Sequence, residues 1–313
     1  MRQKVLGKSE LNRCHPIMMK AKSHFAALAT VILGVGSLHA ATLIQVDATN
    51  LGVSDGTAIA DLANPGTAGA FSTILGTVSA TSHPSNNNPG VLIQGAGFDG
   101  AKMTSANTMV STGMVGNQNY SVTGWVWNAT AGNEEAFVSW GHRGGPTGSN
   151  SGFHQGTHPT FGAIGHWGGG ALGNPAEPDV GWGNNGADIN ATFGQWAHLA
   201  YVWDGSTDRV YIDGVLSAWE DHMVLNPHQT FNDGSPTLFA LGSESDAGNI
   251  NNTPIAFSGT VARVTVLDTV MSDVEVLAAF NADAPYFFEG IPEPTSSLLA
   301  VIGVGLLGLR RRR

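Results

Sequence analysis

At 313 residues, with 42 glycines, 14 lysines and arginines and a formal net charge of −10, the chain suits one large β domain or two small ones better than a helical enzyme. Between residues 41 and 290 four basic residues (Lys102, Arg143, Arg209, Arg263) face 22 acids, so the middle carries −18; that surface repels nucleic acid and anionic lipid and excludes DNA binding. The single cysteine, Cys14, falls in an N-terminal extension, leaving the remainder without a disulfide, a cysteine metal site or a thiol nucleophile.

The extension reads as a signal. Lys20 and Lys22 precede the apolar run Phe25 to Gly36, and small residues follow, with a plausible cut after Ala40 or Ala41. Residues 1–40 are therefore expected to form a signal peptide with a short apolar helix, directing secretion. A start at Met18 or Met19 would give it ordinary length.

Strand signals come next. "TLIQVDA" (Thr42 to Ala48), "STILGTVSA", "GVLIQGAGFDG", "YSVTGWVWNAT" and "EEAFVSWG" are short apolar runs parted by turn residues. The stretch Phe137 to Gly183 is the least ordinary. It holds an echo, Gly141-His142-Arg143-Gly144-Gly145 and Gly165-His166-Trp167-Gly168-Gly169. Each copy follows an apolar stretch readable as a strand, which predicts that both glycine-rich turns leave one side of the domain.

Gln195 to Glu220 gives the clearest pattern. Trp196, His198, Ala200 and Val202 alternate with Ala197, Leu199, Tyr201 and Trp203 at period 2, and Asp204-Gly205 opens a turn. Arg209 to Ile212 is a second strand, and Asp213-Gly214 is a dipeptide able to take the positive φ angles of a tight hairpin. A three-strand meander follows. Thr260 to Leu267 predicts another strand, and the Ser272/Glu275 capping-box spacing before Val276, Leu277 and Phe280 predicts one short helix.

Residues 289–313 form a distinct tail. Pro292 and Pro294 keep the chain extended around Glu293. The apolar run Thr295 to Leu309 is 15 residues, a transmembrane helix on the short side of the roughly 20 residues a stable span needs. Arg310, Arg311, Arg312 and Arg313 would hold its end in the cytoplasm, with the preceding domain outside.

Together these elements predict an all-β protein, an antiparallel two-sheet sandwich occupying residues 41–288 as one domain. Two resemblances refine that. The order Pro292-Glu293-Pro294, apolar helix, terminal arginines resembles the PEP-CTERM sorting signal. The resemblance implies a membrane processing enzyme of the exosortase class as partner, transient inner-membrane anchoring, and delivery to the cell surface or matrix of a polysaccharide-making Gram-negative bacterium. "GQWAHLAYVWDGSTDRVYIDG" and "FSGTVARVTVLDTVMSDVEV", with "GFDG" (Gly97 to Gly100), resemble the laminin-G-like modules of the concanavalin A-like jelly-roll superfamily. Ala262 and Arg263 stand where many such modules carry acids. Members bind carbohydrate, protein or calcium, or space other domains, so the likeness leaves function open.

The candidate ligand-binding residues are Trp140, His142, Arg143, His166, Trp167, Asp179 and Trp182, gathered with His154 and His158 in one stretch. Three readings compete: packing that holds long loops, a glycan site in which indole faces cover sugar rings while His, Asn and Asp bond hydroxyls, and a transition-metal site. His154 and His158 have an i,i+4 spacing, but Gly156 and Pro159 argue against the helix that would align them. Asp99, Asp204 and Asp213 are the turn acids that could bind calcium, although Asp-Gly is first a turn signal. No strand carries a Glu-x-Asp-x-x-Glu pattern, Glu134-Glu135 and Glu220-Asp221 are adjacent and so would face opposite ways in a strand, and no serine elbow, phosphate loop or zinc motif appears. The expectation is a non-catalytic carbohydrate-binding or adhesive module without a certain cofactor. The alternatives are a polysaccharide-acting enzyme with atypical carboxylates and a structural spacer.

Overall fold

The computed structural model describes residues 40–146, 148–166, 179–182, 188–221, 224–246 and 248–289. Residues 1–39 and 290–313, where the signal peptide and the sorting tail are expected, and Trp167 lie outside them. Among the described residues fifteen strands run in chain order: β1 (Thr42–Asp47), β2 (Asp61–Leu62), β3 (Phe71–Leu75), β4 (Ser79–Pro84), β5 (Leu92–Gly97), β6 (Lys102–Thr108), β7 (Tyr120–Trp127) and β8 (Ala136–Gly141). β9 (Asn150–His154), β10 (Ile164–Gly165), β11 (Trp196–Trp203), β12 (Thr207–Ile212), β13 (Val215–Asp221), β14 (Leu238–Leu241) and β15 (Thr260–Leu267) complete them. The described helices are short: α1 (Met109–Thr112), a 3-10 turn (Ile189–Thr192), α2 (Asp273–Ala284) and a π turn (Pro285–Glu289). Among the described residues no helix is long and apolar enough to cross a membrane.

The strands form two antiparallel sheets. The first has the order β13-β12-β11-β7-β15-β5-β4, with β1 also paired to β15, and the second the order β10-β9-β8-β14-β6-β3-β2. Sequential strands often lie in different sheets, as β3 and β4 do: the run "STILGTVSA" divides between them. The all-β sandwich expected from the strand pattern is the architecture found.

Period-2 alternation sorts each strand between core and exterior. Tyr201 and Leu199 of β11, Val122 and Val126 of β7 and Val264 and Val266 of β15 meet Val138, Phe153, Phe239 and Leu241 of the second sheet in the central core. At the β12–β13 turn Asp213 (φ 49°) and Gly214 (φ 78°) both take positive φ, the geometry the dipeptide predicts. The capping box also forms, with Ser272 and Glu275 each bonded to the other's backbone.

The outer face of the first sheet is covered by α2 and the π turn. Trp125 stacks on Phe287 (centroids 4.0 Å apart, 9° between planes) and lies 5.8 Å from Phe280. Trp127 stacks on His83 at 3.6 Å. In this second apolar layer Nε1 of Trp125, Trp127 and Trp196 and Nδ1 of His198 are buried without a partner among the described residues. Arg263, an odd residue on its strand, ties α2 to the sheet by bonding Asp283 (2.6 Å) and Asp47 (3.2 Å). A cleft of about 250 Å³ opens beside it, lined by Asp47, Thr123, Thr265 and Asp283 among others.

Candidate functional site

The second sheet carries a different exterior. Phe153 of β9 points into the core, so Gly152 faces away from it. A Cβ at Gly152 would stand 1.8 Å from Glu244 Oε1 and 2.8 Å from His154 Nε2. Glycine is required because those two side chains lie across its backbone. Glu244 comes from the loop after β14, and His154 Nε2 meets Glu244 Oε1 at 2.6 Å. Arg143 Nε reaches Glu244 Oε2 at 3.3 Å, and its Nη2 stands 3.8 Å from Glu134 Oε1. Asn150 Nδ2 donates to Glu244 Oε2 at 3.4 Å and to the Gly165 carbonyl at 3.3 Å.

A second buried pair adjoins the first. The His166 backbone N–H donates to Asp179 Oδ1 at 2.7 Å. Its ring spans Asn150 O at 2.8 Å and Asp208 Oδ2 at 3.0 Å, and Tyr120 donates to Asp208 Oδ1 at 3.1 Å. Asp208 sits in register opposite Trp203 of β11, on the core side, so this pair lies between the sheets.

Environment drives these groups in opposite directions. Burial alone would lower His154, but the hydrogen bond and charge of Glu244, with Glu134 and the Phe161 carbonyl, outweigh it and raise its pKa. His166 is raised in the same way, burial being overcome chiefly by Asp208. Burial would raise Glu244; His154 and Arg143 reverse that and hold it low. Glu134 and Asp179 are raised, in each case mainly by burial. The site thus joins one firmly ionised carboxylate to two that take up protons more readily.

The residues singled out in the sequence divide. Arg143, His166 and Asp179 belong to this cluster. Trp140 does not offer a face to a ligand: it is a core residue packed edge-on to Tyr120 and beside Phe153 and Phe239. His142 is buried at the same edge, its ring within reach of the Arg143 and Thr230 carbonyls and of His228. Trp182 is half-buried and donates its indole N–H to the Gly156 and Gly162 carbonyls. His142 and His166 follow strands that run in the same direction, because β8 and β10 both pair antiparallel with β9. Glu134, His154 and Glu244 were absent from the ligand set read from sequence, and so was Lys102. Only the crowding of His154 into the unusual stretch hinted at any of them.

The calcium candidates serve turns instead. Asp204 is bonded by Ser206, Thr207 and Arg209, and those bonds outweigh burial and lower its pKa to about 2. Asp213 accepts the His198 N–H at 2.9 Å, and Asp99 is exposed. Asp204 and Asp213 flank opposite ends of β12, roughly 20 Å apart for a six-residue strand, and cannot share an ion. Among the described residues no group of three or more His, Asp or Glu is placed to hold a metal.

Two antiparallel sheets in this order, with a polar cluster laid over one of them, define a concanavalin A-like sandwich. Residues 98–277 match the Laminin_G_3 model of the concanavalin A-like lectin/glucanases superfamily, and the chain belongs to that family. No curated protein matches it. Among solved structures it is similar to domain 4 of a GH43 extracellular arabinanase from Geobacillus stearothermophilus in complex with arabinotriose, at 18% identity over 76% of this chain and 98% of that one, with a TM-score of 0.49. It is also similar to the binding domain of botulinum neurotoxin DC in complex with SialylT (11% identity, 77% and 51%, TM-score 0.43). A third is Trypanosoma rangeli sialidase in complex with sialic acid (13%, 77% and 32%, 0.41).

Proposed function

We propose that this is an exported surface or matrix protein whose sandwich domain binds carbohydrate at the outer face of the second sheet without cleaving it. The observation that carries the reading is the Arg143–Glu244–His154 cluster. Its charges are held by one another, with Arg143 and Glu134 at its rim about one-sixth exposed. Such a set of fixed donors and acceptors suits a neutral, hydroxyl-rich ligand. The buried Asn150 Oδ1, without a partner among the described residues, adds an acceptor. Arg143→Ala should weaken glycan binding at least tenfold, measured by calorimetry on the full chain, while the fold remains intact by circular dichroism. Unchanged binding sinks the assignment.

The routing part of the reading rests on the sequence of the two ends. An exosortase-type enzyme would cut near Pro292-Glu293-Pro294 after the tail has held the protein at the inner membrane. Deleting Arg310 to Arg313 should redistribute the protein between membrane and medium without changing its melting temperature.

One observation favours a second reading. Glu134 and Asp179 are raised while Glu244 is lowered, the contrast that separates acid from base in polysaccharide-cleaving sites. Release of reducing ends from a bound glycan, abolished by Glu134→Gln, would establish an enzyme and displace the binding-only reading.

A further inference from the structure

Lys102 opens β6 on the face of the second sheet turned from the core, and none of its surface reaches solvent. Its three ammonium protons have three acceptors: Ser245 Oγ at 2.9 Å, the Ile250 carbonyl at 3.1 Å and the Asn252 carbonyl. All three belong to the loop between β14 and β15. Burial pushes its pKa down to about 8, while Glu244 and Asp246, from the same loop, favour the charged form. Two main-chain carbonyls, a hydroxyl and nearby carboxylates are the oxygen set that gathers around a hard cation. Here the cation is tethered to the neighbouring strand.

The loop it gathers is also the one that builds the site. The Arg143 N–H donates to Ser245 O at 2.8 Å, and Arg143 forms a parallel bridge with Asp246. The Asp246 N–H donates to Asn252 Oδ1 at 2.9 Å, and Asn252 Nδ2 returns a bond to Asp246 Oδ2 at 3.0 Å. Glu244 precedes Ser245 directly. Chain position therefore passes from the ammonium to both partners of the central ion pair.

We propose that Lys102 is a built-in cation, a positioning residue whose ammonium folds the 244–252 loop as a bound metal ion would and so sets Glu244 and Arg143 in place. A side chain of equal volume cannot substitute, because it would leave the buried Ser245 Oγ and the part-buried Ile250 and Asn252 carbonyls without the donor that gathers them. The consequence for a ligand rests on the carbohydrate reading above; the dependence of the loop on the ammonium does not.

The test is hydrogen exchange of the full chain at the Arg143 and Asp246 amides. In Lys102→Met, protection there should fall at least ~10-fold, a change of about 1.4 kcal/mol, while β7 and β11 amides stay as they were. Lys102→Ala should show the same loss, recovered by methylammonium chloride and not by tetramethylammonium chloride, which is too bulky to enter. Full protection in the Met variant, or no recovery of the folded Ala variant with methylammonium, overturns the proposal. Should both variants fail to fold, nitrogen NMR of the unsubstituted protein decides. A slowly exchanging Lys102 ammonium supports the assignment, and a freely exchanging, solvated lysine signal overturns it. Because exchange is read without any glycan, a blank glycan screen leaves the loop result standing.

Discussion

The two outer faces of the sandwich handle buried histidine in opposite ways. On the first sheet His83 and His198 lie among indoles and phenyl rings, and burial pushes both down to about 4. His154 on the outer face of the second sheet and His166 between the sheets are fully buried but face Glu244 and Asp208, and both are raised. The same residue type becomes part of an aromatic seam in one place and half of an ion pair in the other. Stacked rings seal the first face beneath α2, and Arg263 fastens the helix beside them through Asp283 and Asp47. Charge with few apolar neighbours keeps the second chemically poised, which is why the candidate site is placed there.

The largest way to break this contrast is to open the sealed face. Phe287→Ala removes the ring stacked on Trp125, and by analogy with other buried aromatics it should cost about 3–5 kcal/mol in denaturant unfolding. Loss below 1 kcal/mol would mean that the π turn is an ornament on the sheet.

Acid comes next. His198 has a folded pKa of about 4 against 6.5 unfolded, so the unfolded state binds more protons as pH falls from 6.5 to 4. Stability should therefore drop across that window by on the order of 3 kcal/mol from this residue, and His198→Leu should flatten the limb. The lowered Glu244 adds a further loss below its usual 4.5.

The alkaline side reports the other face. His154 and His166, raised above 6.5, contribute stability that is full below pH 6.5 and disappears as pH rises through their folded values. His154→Gln should cost about 1–3 kcal/mol at pH 6 and less at pH 9, read from urea midpoints at both values. An equal cost at the two pH values would deny the ion pair.

The smallest effect belongs to a turn. Asp204→Asn weakens a partly exposed pair with Arg209 and should cost no more than about 1 kcal/mol, with no response to added calcium in the melting temperature.

Much of the fold was legible because alternation survives in strands such as Trp196–Trp203 and Thr260–Leu267, where each residue commits to one face. Strands β6 (Lys102–Thr108) and β9 (Asn150–His154) were not legible. Their outward residues are polar or glycine because they carry the cluster and not the core, and the signal is lost for that reason. The site is harder still. His154 and Glu244 meet from 90 residues apart, and nothing local shows that they pair. The Gly-His echo placed His142 and His166 after strands that run the same way, while the second glycine turn lies outside the described residues. The echo could not tell that Trp140 turns inward, since β8 carries a register shift between Ala136 and Val138 that alters the alternation.

A glycan-array screen of the full chain, run in calcium and in chelator beside the Arg143→Ala variant, tests the account most directly. The account predicts a defined glycan bound under both conditions and lost in the variant. A folded protein that binds nothing, or a glycan held equally well by Arg143→Ala, would contradict it and return the search to protein partners.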